Sequence, residues 1–189
     1  MSGQNQNEAP EGLELVFAED GGRKFLLGQS FKLKSGYLNA GGRIHRTIVI
    51  RNEYFDAKLQ LLLLRTGLRQ TILGLEPRIV DFQGTNLIFK RLGVKCDMLG
   101  VANDQIGYFL RVSDPAPCFV RTKDKTFISR ARDAYLELAK NAQPFQKWAK
   151  TVGLAGRIPE IKKGVEAESN LIRQYAASWG NPQSLQKPH

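Results

Sequence analysis

The sequence is short of the groups that most enzymes use for acid–base and metal chemistry. It has two histidines, His45 and the terminal His189, and two cysteines, Cys96 and Cys118, which form no C-x-x-C pair. A metal centre or a histidine-based catalytic pair has little to draw on. The cysteines read as free thiols of the interior. The glycines fall singly or in the pairs Gly21-Gly22 and Gly41-Gly42, so neither G-x-x-x-x-G-K-[ST] nor a G-x-G-x-x-G opening a helix is present, and there is no G-x-S-x-G elbow. No catalytic residue, metal ligand or cofactor is expected, although an enzyme with an unrecognised site stays open as a third reading.

Long hydrophobic runs are also missing. The apolar run 61–64 has four residues and none is longer, whereas a membrane span needs about 20. The opening M-S-G-Q-N-Q-N-E-A-P-E-G has neither a positive region nor an apolar core of the kind that directs secretion, which gives the expectation of a cytoplasmic protein.

What the sequence has in excess is positive charge: 28 Lys and Arg against 18 Asp and Glu, a net +10. Such a balance attracts polyanions before any specific contact forms. Nucleic acid is the first candidate partner. An anionic membrane surface comes second, because no helix separates basic and apolar faces strongly enough to lie in headgroups. The bland alternative is a charged surface that serves solubility alone. With 42% hydrophobic residues the chain has enough apolar material for a substantial core.

The apolar pattern predicts one α+β domain over 13–179, between a disordered N-terminal tail, 1–12, and a flexible C-terminal tail, 180–189. Strands are expected at 13–17, 23–27, 30–33, 44–51, 78–82, 86–94 and 106–112, and helices at about 128–140, 145–152 and 159–179. In S-F-K-L-K, Phe31 and Leu33 alternate with Lys32 and Lys34, which turns both lysines to solvent or to a phosphate backbone.

The chain is organised around 43–75, a short basic strand leading into a Leu-rich helix. Period two puts Ile44, Arg46, Ile48 and Ile50 on one face of the strand and His45, Thr47, Val49 and Arg51 on the other. Asn52 stands where an N-cap belongs, Glu53 and Asp56 suit the first helical turn, and Phe55, Leu59, Leu62, Leu63 and Thr66 recur at helical spacing. Leu61 and Leu64 widen that stripe, as at an oligomer interface. Gly67 ends or bends the helix, and Gly74 with Pro77 stops it by about Glu76. If the strand paired with its copy in a second subunit, the two would form a ribbon that fits the major groove, with His45, Thr47 and Arg51 facing the bases. The other reading of the same stretch is a strand inside one subunit followed by a core helix.

The segment R-T-I-V-I-R-N-E-Y-F-D-A-K-L-Q-L-L-L-L-R, residues 46–65, resembles the AcaB-like transcriptional regulators of conjugative plasmids and integrating conjugative elements, which are related to ribbon-helix-helix proteins. The resemblance lies mainly in residues 43–76 and rests on N-E-Y-F-D-A followed by the Leu-rich helix. It departs after the turn, where the family's tryptophans are absent and Lys58 and Leu59 stand in that neighbourhood, and at Gly74 and Pro77, which cut the second helix short. It implies a homodimeric DNA-binding regulator of a mobile element, with His45, Thr47 and Arg51 as readers.

The candidate DNA-binding residues are therefore Lys32, Lys34, Arg43, His45, Arg46, Thr47, Arg51, Arg65 and Arg69. Double-stranded DNA is the favoured partner. The competing expectation is a structural or assembly protein of a mobile element or virus particle that holds nucleic acid without reading it.

Overall fold

A strand that is apolar on both faces has to be covered on both sides, and the first two strands are of this kind. A computed structural model describes residues 11–18, 43–51, 56–72, 74–111 and 118–179, with residues 169 and 171–179 described by backbone alone. In β1 (Glu11–Phe17) Val16 is buried on one face and Leu15 and Phe17 on the other; in β2 (Arg43–Ile50) Ile48 and Ile50 oppose Val49 in the same way. The two strands run parallel, Leu15 opposite Thr47. β3 (Arg78–Asp81) lies parallel on the other side of β2, with Ile48 opposite Ile79. β4 (Met98–Ala102) lies antiparallel on the other side of β1, and β5 (Ile106–Arg111) and β6 (Cys118–Thr122) continue it as an antiparallel meander. A two-residue strand, β7 (Gln143–Pro144), covers the outer edge of β3, so among the described residues the sheet has seven strands in the order β6-β5-β4-β1-β2-β3-β7.

Helices pack on both faces. On one lie α1 (Ala57–Ile72), α4 (Phe145–Thr151) and α5 (Ile158–Trp179), whose Leu59, Leu63, Phe145, Trp148 and Val165 share a core with Val16, Ile48 and Ile79. On the other lie α2 (Thr85–Leu92) and α3 (Lys125–Ala139), which bring Ile88, Phe89, Ile128 and Leu138 against Leu15, Phe17 and Val49. Each fully buried side chain of this size contributes roughly 1.5–3 kcal/mol. The chain is thus a three-layered mixture of α and β around one mixed sheet. Among the described residues no helix is long and apolar enough to cross a membrane.

The expected ribbon is an interior strand. β2 is paired within the same chain, with β1 from Arg43 to Val49 and with β3 from Thr47 to Ile50, so it lies inside the chain's own sheet, which is larger than a ribbon-helix-helix unit has. β2 therefore supplies no reason for an obligatory dimer.

The helix after it is also single. Asp56 Oδ1 accepts from the Leu59 amide at 2.7 Å, which places the cap at Asp56; Asn52 lies outside the described residues, as do the strands expected at 23–27 and 30–33. α1 then runs unbroken through Gly67 to Ile72. Gly67 is there for space: a Cβ built on it would stand 2.2 Å from the Phe145 ring of α4. Leu64, expected at an oligomer interface, is fully buried in the chain's own core.

Two further elements differ from expectation. The segment 86–94, expected as a strand, is mostly α2, because Ile88, Phe89 and Leu92 make a stripe at helical spacing and Gly93, at φ 71°, closes the helix by donating to the Lys90 carbonyl. β4 and β6 were expected as no element at all. The turn between β4 and β5 puts Asn103 and Asp104 at φ 50° and 54°, a conformation that Asn and Asp tolerate better than other side chains.

Candidate nucleic-acid interface

Arg46 shares its side of β2 with three isoleucines, and that side is closed by α1. The guanidinium is 1% exposed and so is its partner Glu14 on β1. Nε and Nη2 of Arg46 donate to Glu14 Oε2 at 3.0 and 2.8 Å, and the Tyr108 hydroxyl donates to Glu14 Oε1 at 2.6 Å. Both carboxylate oxygens are thus engaged, the condition under which a buried pair offsets its desolvation.

The register of the sheet explains how Tyr108 gets there. Arg46 lies opposite Glu14, Glu14 opposite Gly100, Gly100 opposite Tyr108, and Tyr108 opposite Arg121. These five residues form one row across β2, β1, β4, β5 and β6. Gly100 leaves the gap through which the tyrosine crosses β4, since a Cβ there would stand 2.2 Å from the Tyr108 ring.

On the opposite face of β2, Thr47 is fully buried against α2 and α3 rather than open to a groove. His45 is 41% exposed, and its Nε2 lies 3.1 Å from Glu11 Oε1. Arg43 is exposed at the start of the strand and Arg51 half-buried just past its end. Of the three expected readers, then, Thr47 is enclosed, and Arg46 is withdrawn from any phosphate. Both are corrections with the same cause: helices packed on the two faces of the sheet close β2 at these positions. Lys32 and Lys34 lie outside the described residues.

Arg65 and Arg69 sit on α1. Arg65 is exposed and pairs with Glu168 of α5. Arg69 is half-buried, and burial together with the neighbouring Arg65 and Arg46 guanidiniums holds its pKa below the usual arginine value. The structure thus brings Arg46, Arg65 and Arg69 together, away from Arg43 and His45 at the start of β2.

A further cluster of exposed positive charge lies elsewhere. α4 turns Phe145, Trp148 and Ala149 inward and Lys147 and Lys150 outward; α5 begins with Ile158, Ile161 and Val165 toward the core and Lys162 and Lys163 toward solvent. Between them a short 3-10 turn, Ala155–Arg157, ends on exposed Arg157, after Gly153 has reversed the chain at φ 74°. Segment 145–163 thus displays five cations against one carboxylate, Glu160. Lys162 pairs with Glu166 at 3.6 Å; Lys147, Lys150, Arg157 and Lys163 make no ion pair among the described residues. Sequence reasoning missed this surface. Its signal was available: lysines at 147 and 150 on a helix whose 145, 148 and 149 are apolar must face outward.

The two thiols differ. Burial pushes the Cys96 thiol up to about 12, with Asp97 adding to the shift and Arg111 opposing it, whereas Cys118 is half-exposed. Among the described residues no group of three or more His, Cys, Asp or Glu is placed to hold a metal ion.

No family model, curated protein or solved structure matches the chain.

Proposed function

We propose that this protein binds nucleic acid without catalysing a reaction on it, holding phosphates on the outer surface of α4 and the start of α5. The carrying observation is the run of exposed cations Lys147, Lys150, Arg157 and Lys163, which have no ion pair among the described residues. Attachment to a phosphate backbone needs only such charges within reach. The net +10 supplies the long-range attraction.

Two readings of what the binding is for divide here. A dimeric regulator of a mobile element, the role implied by the resemblance of 46–65 to AcaB-like proteins, needs side chains that reach base edges. A structural or assembly component needs none. The buried Thr47 and Arg46 favour the second, attachment that does not depend on sequence.

The test is binding of labelled mixed-sequence oligomers by the full chain across a salt series. The expected result is tight binding at low salt that weakens linearly on a log–log plot, with no advantage for any competitor sequence. Absence of binding at low salt sinks the proposal; a strong competition advantage for one sequence returns the regulator.

A further inference from the structure

We propose that the open side of β5 and β6 is a stacking surface for the unpaired bases of a single nucleic-acid strand. The proposal rests on the nucleic-acid reading above and adds which form of nucleic acid is preferred and where its bases lie.

Leu110 lies opposite Phe119, and Tyr108 opposite Arg121. Directly opposed residues share a face of the sheet, so these four side chains stand together on the face that carries the Glu14–Arg46 pair. Toward β1 and β2 this face is closed by α1. Toward the edge it opens, and Phe119 is 53% exposed, with Arg121 exposed beside it.

Other large apolar residues are exposed, but Leu61, Leu87 and Leu136 stand on the outer sides of helices. Phe119 has an aromatic neighbour, Tyr108, with ring centroids 6.1 Å apart and planes tilted by 37°. That neighbour is fixed, since its hydroxyl is bound to Glu14 and its ring lies across Gly100. A π face held rigid next to a second ring presents stacking area with little ordering left to do.

The occupant follows from what surrounds the rings. Arg121 and, just past the strand, Lys123 are exposed and make no ion pair among the described residues. The nearest carboxylate in sequence, Asp124, is engaged by the amides of Thr126 and Phe127 at the start of α3. Cations flanking exposed aromatic faces are the combination that holds a charged backbone while its bases stack. A duplex offers the phosphates but hides the base faces. Among the described residues β6 is the last strand of the sheet, and no further β-strand of theirs lies along its outer edge.

The experiment is fluorescence anisotropy with the full chain and labelled oligomers of about twelve nucleotides: oligo(dT), oligo(U), an abasic strand and a mixed-sequence duplex. The two single strands are expected to bind more tightly than the duplex, and their order tells DNA from RNA. Phe119→Leu keeps the apolar bulk without a π face and is expected to weaken single-strand binding about tenfold, as is Phe119→Ala, with duplex binding unchanged. Phe119→Tyr is expected to bind as the parent does. The abasic strand should bind parent and Phe119→Leu alike.

If Phe119→Leu and Phe119→Ala bind single strands as the parent does while salt-dependent binding persists, the stacking surface is wrong and the proposed function stands. If the parent binds none of the oligomers, both fall. If sedimentation gives a parent dimer that Phe119→Leu converts to monomer, the surface belongs to a second copy of the chain, and the stacking proposal is overturned.

Discussion

Arg46 and Arg121 stand in one cross-strand row on one face of the sheet, yet their surroundings are opposite. Arg46, on interior β2, is 1% exposed and bound to Glu14; Arg121, on edge strand β6, is exposed with no ion pair among the described residues. Both look like phosphate contacts in a basic sequence. What separates them is place in the strand order and the helix above it, both long-range properties: β2 is flanked by strands on both sides and covered by α1, whereas β6 is the outermost strand among the described residues. An arginine among isoleucines on a strand therefore points to a carboxylate partner inside the protein before it points to a ligand outside.

The largest effect that would break this contrast is loss of the interior pair. Arg46→Leu takes the guanidinium from the buried Glu14 carboxylate, and is expected to cost about 3–5 kcal/mol in urea unfolding. A loss below about 1 kcal/mol would mean that Arg46 reaches solvent.

Next come the glycines that let neighbours approach. Gly100→Ala pushes a methyl into the Tyr108 ring, and Gly67→Ala pushes one into Phe145. Each is expected to destabilise by about 1–3 kcal/mol. For Gly67 the clash has to exceed the gain of about 1 kcal/mol that alanine brings to a helix. A stabilised Gly67→Ala variant would show that α1 and α4 do not pack as described.

Thiol reactivity sharpens the same contrast without altering the chain. With Cys96 pushed up to about 12 and buried, only a minute fraction is thiolate near neutral pH. A chromogenic disulfide reagent is expected to find one reactive thiol in the native protein, Cys118, and both after unfolding. Rapid reaction of Cys96→Ser and Cys118→Ser variants alike would contradict the burial of Cys96. The smallest effect belongs to the edge: Arg121→Ala is expected to change stability by less than about 0.5 kcal/mol, and a larger loss would mean that this arginine is part of the fold.

Local pattern was enough for elements whose apolar spacing matches one period. β5, α3, α4 and α5 fall close to where periodicity puts them, and β1 is legible as a short apolar run. It failed where a residue answers to a distant partner. Gly100 reads as punctuation between strands, but it lies inside β4 to give Tyr108 passage. Gly67 reads as a break in a helix and is instead the seat of the Phe145 ring, 78 positions further along the sequence. In α2 the run Leu87, Ile88, Phe89 suits a strand or a helix, and the left-handed Gly93 decides for the helix. As for the candidate site, the faces of β2 were legible and the closing of both was not, since that depends on how α1 and α3 fold back onto the sheet. The cations of 145–163 were legible from helix spacing alone.

The central claim is that phosphates are held by the outer surface of α4 and α5 while β2 stays inside. The direct measurement is the salt dependence of duplex binding by the parent, by a Lys147→Ala, Lys150→Ala, Lys163→Ala variant and by Arg51→Ala. The account predicts that the triple variant binds every sequence more weakly, with the log–log slope reduced by roughly two to three, and that Arg51→Ala leaves sequence preference untouched. Parent-like binding by the triple variant, or a sequence preference that disappears with Arg51, would contradict it.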